Sequence, residues 1–314
     1  MWYKSLIKLC FTLAGPYLLT ACSKSEILEQ ETQRTIRFTE VSTRASISTA
    51  DEMEEFRVWG LFSKDNNTHP VFESEDGIGE RVYKKDGGTW TYDNTRYWLE
   101  DFTYRFHALH GVESATINEG MNTISCSAFD CSKGNDLMSA VSDEYSVAAN
   151  NIPKSVPFTF KHRLAKVVVK LKAATGVSAT VKSAKFYGMS YTGDFSYALA
   201  DQTITWSKEG SGASSTDTPF EYSGQEVVVS GTTELSLFGD MLLLPQQING
   251  ATLAVTLNRG QGEETLTVTL PETTWKENNA YVYTSTVEQT GISFTDFTVQ
   301  EWNYSYSGGS VNIQ

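Results

Sequence analysis

The chain has 314 residues and a formal charge of −13. A surface that acidic repels phosphate backbones, which argues against nucleic acid as a partner. With 40 % hydrophobic and 20 % charged residues the composition is that of a folded chain, not a disordered one. Aromatic residues make up 12 %, and stiff, flat side chains favour β-structure.

The first 22 residues read as an export signal. Lys4 and Lys8 supply positive charge, and an apolar run follows from Leu9 to Leu19. Gly15, Pro16 and Tyr17 interrupt that run. It is shorter than the ~20 apolar residues a membrane span needs, so residues 1–21 are expected to be a cleaved signal peptide. Leu19-Thr20-Ala21-Cys22 resembles a bacterial lipobox, which makes Cys22 the expected lipidation site. Several acyl chains anchor stably, since each buried CH₂ contributes ~0.8 kcal/mol. The stretch after Cys22 is polar and acidic, with Glu26, Glu29 and Glu31, and weakly resembles the export signal of surface-exposed lipoproteins. Residues 22–44 are therefore expected to hold a tether and a first strand. In Thr35–Thr39 the pattern alternates, and Ile36 and Phe38 share one face.

Farther along, Asp51–Phe56 is the best candidate for a short helix, of one to two turns at most. Elsewhere the period is two. Strand-like runs occur at 56–62, 102–109, 181–187, 203–206, 225–229, 235–244, 280–286 and 292–299. In Lys166–Lys172, Val167, Val169 and Leu171 share a face opposite three lysines and Val168. Leu253, Val255 and Leu257 alternate with polar or small residues and turn at Asn258–Gly262. Leu266, Val268 and Leu270 lead back, which predicts a hairpin with one buried face. Pro70, Pro153, Pro157, Pro219, Pro245 and Pro271 sit at the ends of such runs, where a missing N–H does least harm. The pattern predicts an all-β protein built of sandwiches or barrels, in two domains, 45–155 and 156–314, divided at the loop-like passage 148–154. Residues 207–219 read as a long surface loop.

Cys126 and Cys131 remain once the leader is set aside. In an oxidising compartment they either pair across a short loop or stay as two thiols. No metal set is expected, because neither a CxxC nor a His pair accompanies them. His69, His107, His110 and His162 read as isolated; on a strand, His107 and His110 point to opposite faces. Gly188 and Gly193 have P-loop spacing, but Asp194 and Phe195 replace the lysine and hydroxyl residue that bind phosphate. Glu73, Glu75 and Asp76 do not form an EF-hand pattern. No catalytic residue, cofactor or enzymatic activity is expected.

Several segments, taken in order, resemble the fimbrillin family, the type V pilins of Bacteroidia. They are Ser42-Thr43-Arg44-Ala45, then Phe56–Phe62, Trp90, Tyr97-Trp98 and Phe102–Ala108. Asn135–Met138 leads into Phe158–Val167, and Leu242–Gln246, Trp275, Tyr281–Tyr283, Phe297–Val299 and Trp302 complete the series. The resemblance implies two tandem transthyretin-like β-sandwiches and export as an outer-membrane lipoprotein. It further implies service at the cell surface as a shaft, tip or anchor subunit of a fimbria. Partners would be other fimbrial subunits and a host or bacterial surface receptor. In fibre-forming members an Arg-specific protease removes the first strand; Arg44 is the matching position, with Arg34 and Arg37 as alternatives. An edge stripped of its strand accepts one from a neighbour. In this chain Tyr304 and Tyr306, or Val311 and Ile313, are the candidate donor-strand residues, and such head-to-tail contacts build filaments. An alternative function is a surface glycan-binding lipoprotein that stacks sugars on Trp90, Tyr92, Tyr97 and Trp98.

Overall fold

The computed structural model describes residues 34–43, 53–86, 88–208, 213–231 and 233–302, and these are almost wholly strand and turn. The short helix expected at 51–56 is not formed at its described end. Glu55 and Phe56 open the strand Glu55–Lys64 instead. Phe56 and Val58, two residues apart, both enter the core, and alternation of that kind is satisfied only by extended chain.

A nine-stranded sheet dominates the first half. Its order runs Phe38–Thr43, Val156–His162, Met138–Val141, Thr103–His110, Glu55–Lys64, Glu80–Lys84 and Trp90–Thr91, with two short strands off this path. The sheet curls strongly. Phe38 and Phe106 lie three strands apart in this order, which is about 14 Å in a flat sheet, yet their ring centroids are 5.7 Å apart. The inside of the curl is an aromatic core that includes Phe38, Phe56, Trp98, Phe106, Phe158 and Phe160.

On the other face of this sheet, Trp59 and Leu109 meet Ile124, Phe195 and Tyr197. These come from a four-stranded sheet ordered Ile204–Lys208, Thr192–Ala198, Thr123–Asp130 and Thr116–Ile117. The boundary expected between residues 155 and 156 therefore does not separate the sheets. Val156–His162 completes the first sheet, and the hairpin 192–208 is lent to a strand of the first half. The reason is burial: Val156, Phe158 and Phe160 fill the aromatic core, while Phe195 and Tyr197 fill the second face.

The remaining strands form a sandwich of their own. One sheet is ordered Leu235–Ser236, Ala165–Ala173, Asn279–Val287 and Ile292–Glu301; the facing sheet is ordered Glu221–Tyr222, Ser178–Tyr187, Thr252–Asn258 and Glu263–Thr269. Between them lies a mainly aliphatic core that includes Val169, Leu171, Val181, Leu253 and Leu257. The predicted hairpin pairs Leu253 with Val268 and Val255 with Leu266. The predicted run 235–244 is split, because the chain turns at Gly239, where φ is +69°. The face of Ala165–Ala173 read as wet is covered at its start. Val168 is buried, and Lys166 is buried against Asp240 at 2.6 Å.

Candidate functional site

The segment 34–43 enters the first sheet from outside the local order of strands. Its first part crosses to residues 96–98: Ile36 N–H donates to Arg96 O at 2.9 Å, and Trp98 N–H donates to Arg34 O at 2.8 Å. Its second part, Phe38–Thr43, lies parallel to Val156–His162, with Phe38 beside Val156 and Thr43 beside Phe160. The first strand thus begins three residues later than the alternation at 35–39 suggested, and the register shifts between Thr39 and Val41. Val156 N–H donates to Arg37 O at 2.7 Å. N–H groups alternate sides along a strand, so the N–H that Pro157 lacks would point away from the leader strand and costs this pairing nothing.

This leader strand is the last in the sheet, and among the described residues no strand pairs with its outer side. Its inner side chains are nonetheless deep in the core. Ile36 is 0 % and Phe38 2 % exposed. The Phe38 ring stacks on Phe158 and meets Phe56, Phe106 and Tyr92 edge-on, with centroids 5.6–6.4 Å away. The Tyr92 hydroxyl donates to Ile36 O at 2.7 Å and accepts from Arg96 N–H at 3.2 Å. Burying two such side chains contributes about 1.5–3 kcal/mol each, and each aromatic contact adds about 0.5–1.5 kcal/mol. A sheet margin held this way is strongly occupied but topologically open.

Arg44 follows the last strand residue, Thr43, and lies outside the described residues, as do Cys22, Tyr304, Tyr306, Val311 and Ile313. Cys126 and Cys131 are free, buried thiols, so the disulfide is not formed. Cys126 sits within the strand Thr123–Asp130, and Cys131 begins the turn after it. They stand five positions apart, and even with the bulge at Ala128, where φ is +51°, largely extended chain at roughly 3.3 Å per residue keeps their Cα atoms beyond the ~7 Å limit for a bridge. Burial raises both thiol pKa values.

The aromatic cluster proposed to stack sugars is not a surface platform. Trp98 is 1 % exposed, Trp90 and Tyr92 pack on the aromatic core, and of the four only Tyr97, at 45 %, faces solvent. His107 is buried beside Tyr197 at 6.0 Å. Burial, aided by Arg105, lowers its pKa to about 4. His110, on the opposite face, donates from Nδ1 to Glu55 O at 2.7 Å. Gly188 has φ +91° and its Cβ position is 2.8 Å from Gly250 O, so that glycine serves a tight backbone approach. Among the described residues no cluster of three or more His, Cys, Asp or Glu side chains is placed to hold a metal.

Sequence reasoning missed the junction between the two halves. Arg163 is 1 % exposed. Its Nε donates to Ser139 Oγ at 2.6 Å, Nη1 to the Glu277 carboxylate at 2.8 and 3.0 Å, and Nη2 to Gln202 O at 2.8 Å. One side chain thereby ties the first sheet, the lent hairpin and the second sandwich together. Next to it, the His162 ring stacks on Trp302 at 3.8 Å, with Nδ1 2.7 Å from Asp136 Oδ2. The detectable signal was a His-Arg pair between two apolar runs, which reads as a turn until the partners are known.

A family model described as fimbrillin-like matches residues 43–302. No curated protein matches the chain. Among solved structures, a fimbrial protein from Bacteroides vulgatus is 18 % identical with a TM-score of 0.60, covering 86 % of this chain and 99 % of that one. A Bacteroides ovatus protein, provisionally described as a cell adhesion protein, is 17 % identical with a TM-score of 0.54, covering 86 % and 98 %. At such identities these likenesses concern the fold.

Proposed function

The chain belongs to the fimbrillin-like family, and from that premise we propose that it is a structural or adhesive component of a cell-surface fimbria, assembled by strand exchange. Its role is structural, not catalytic. In this reading residues 1–21 direct export, Cys22 carries lipid in the outer membrane, and the leader strand plugs the first sandwich until a protease cuts after Arg44. A strand from another subunit then takes its place, while the segment bearing Tyr304, Tyr306, Val311 and Ile313 is offered onward. A surface receptor is the further partner of an adhesive subunit.

The observation that carries this reading is the leader strand itself. Phe38 is buried although it opens the last strand of a sheet, and Ile36, just before that strand, is fully buried as well. Removal of the leader would bare a row of backbone groups and a core-sized slot, and an incoming strand satisfies both.

Backbone pairing also favours Arg44 over its alternatives. A protease needs its substrate segment extended and unpaired. The carbonyls of Arg34 and Arg37 are both engaged, by Trp98 N–H and Val156 N–H, which counts against those two alternatives.

The test is to nick the folded, purified chain with trypsin and offer a labelled peptide copy of residues 34–43. We expect cleavage after Arg44 by mass spectrometry, and uptake of the peptide by the nicked chain but not the intact one. Nicked protein that excludes the peptide would remove the basis for strand exchange.

A further inference from the structure

The seat of residue 38 is selective in a way that names the kind of strand it takes. Phe38 is enclosed by Phe56, Phe72, Tyr92, Phe106 and Phe158. The polar group those rings carry is the Tyr92 hydroxyl, already bonded to Ile36 O and Arg96 N–H. Two positions earlier, Ile36 is fully buried, and Val41 packs on the same core across the register shift. The slot therefore wants an aliphatic residue, then an unsubstituted aromatic ring two positions on.

The segment after Trp302 supplies no such pair. Its alternating apolar residues are Tyr304 with Tyr306, and Val311 with Ile313. A tyrosine at the Phe38 seat would bury its hydroxyl among rings without a partner, and a buried hydroxyl left unbonded is destabilising. With Tyr304 and Tyr306 in the places of Ile36 and Phe38, Gly309 falls where Val41 packs, so that contact is lost too. Isoleucine or valine at the Phe38 seat would leave a void where a ring was, and the cost of a void grows with its volume. Running the segment in the opposite direction exchanges the members of each pair and changes neither objection.

We propose that the strand which replaces the leader is one presenting an aliphatic residue and a phenylalanine two positions apart, and not residues 303–314 of a second copy of this chain. The proposal rests on the strand-exchange reading above. It makes this subunit one that does not polymerise with itself through residues 303–314.

Two measurements test it. In the uncut full-length chain, the leader is given the candidate donor pairs as Ile36→Tyr with Phe38→Tyr, and as Ile36→Val with Phe38→Ile; Ile36→Leu alone keeps the aliphatic–aromatic pattern. Exchange of the Ile36 and Val156 amide protons reports opening of the seat. We expect at least about a tenfold rise in both grafts and less than about twofold in the control, tenfold being 1.4 kcal/mol. A graft that holds the seat as tightly as the native pair would overturn the proposal. Should a graft fail to fold, the wild-type chain nicked at Arg44 decides: a peptide copy of 34–43 enters and a copy of 303–314 does not. Entry of both within tenfold of each other would make a second copy the partner. Exclusion of both would defeat strand exchange itself, whatever the grafts show.

Discussion

Two consecutive strands of this molecule each take a parallel partner from far away in sequence. Val156–His162 pairs with the leader strand, Phe38–Thr43, and Ala165–Ala173 pairs with Asn279–Val287. Both pairings are parallel, but the surroundings differ. Asn279–Val287 is flanked on its other side by Ile292–Glu301, residue against residue. The leader strand has no such neighbour among the described residues. A strand enclosed on both sides cannot leave without opening the sandwich. A strand at the margin leaves by breaking one ladder and vacating one row of pockets. On the strand-exchange proposal, what makes the leader replaceable is its place in the sheet, not how well its side chains are buried.

The strongest way to break this comparison is Phe38→Ala. Loss of a fully buried ring should cost about 3–5 kcal/mol and loosen the first sandwich, leaving the aliphatic core of the second intact. Denaturant unfolding followed by near-UV signals would show two transitions in place of one. A single transition shifted as a whole would mean that the Arg163 junction couples the halves too tightly for one to open alone.

A pH titration comes next. Buried His107 has its pKa lowered to about 4 from 6.5, so between those values the unfolded chain binds a proton that the folded one refuses. Stability should therefore fall as pH drops from 6.5 to 4, by roughly 3 kcal/mol in all. The loss should belong to the first half, where His107 faces the lent hairpin. His107→Phe should flatten that part of the profile, and an unchanged slope would reassign the acid sensitivity.

The smallest effect is expected inside the second sandwich. Tyr283→Phe removes the oxygen that accepts from Trp275 Nε1 at 2.8 Å. An orphaned indole N–H should cost about 1–3 kcal/mol, measurable as a lowered Tm, while the leader amides keep their exchange rates.

Much of this architecture was legible in one dimension. Alternation placed the Thr252–Asn258 and Glu263–Thr269 hairpin almost to the residue, because side chains on a strand change faces at every step. The same rule marked Ile36 and Phe38 as an inward pair before any partner was known. Contacts between distant segments were not legible. Nothing local distinguishes the hairpin 192–208 from a hairpin that stays in its own half, and Phe195 and Tyr197 suit either core. Trp90, Tyr92 and Trp98 read more readily as core filling than as a sugar platform, but an aromatic ring serves both and only the curl of the sheet decides.

The amino-acid order by itself determined the strand class, the inward-facing residues and the candidate leader, since these follow from a period of two and from the chemistry of each side chain. Tertiary structure alone decided that the leader lies at an open margin, that one arginine joins three sheets, and that Cys126 and Cys131 stay apart. Those outcomes depend on which strands become neighbours, and neighbours are chosen by the burial of the whole core rather than by any single stretch of chain.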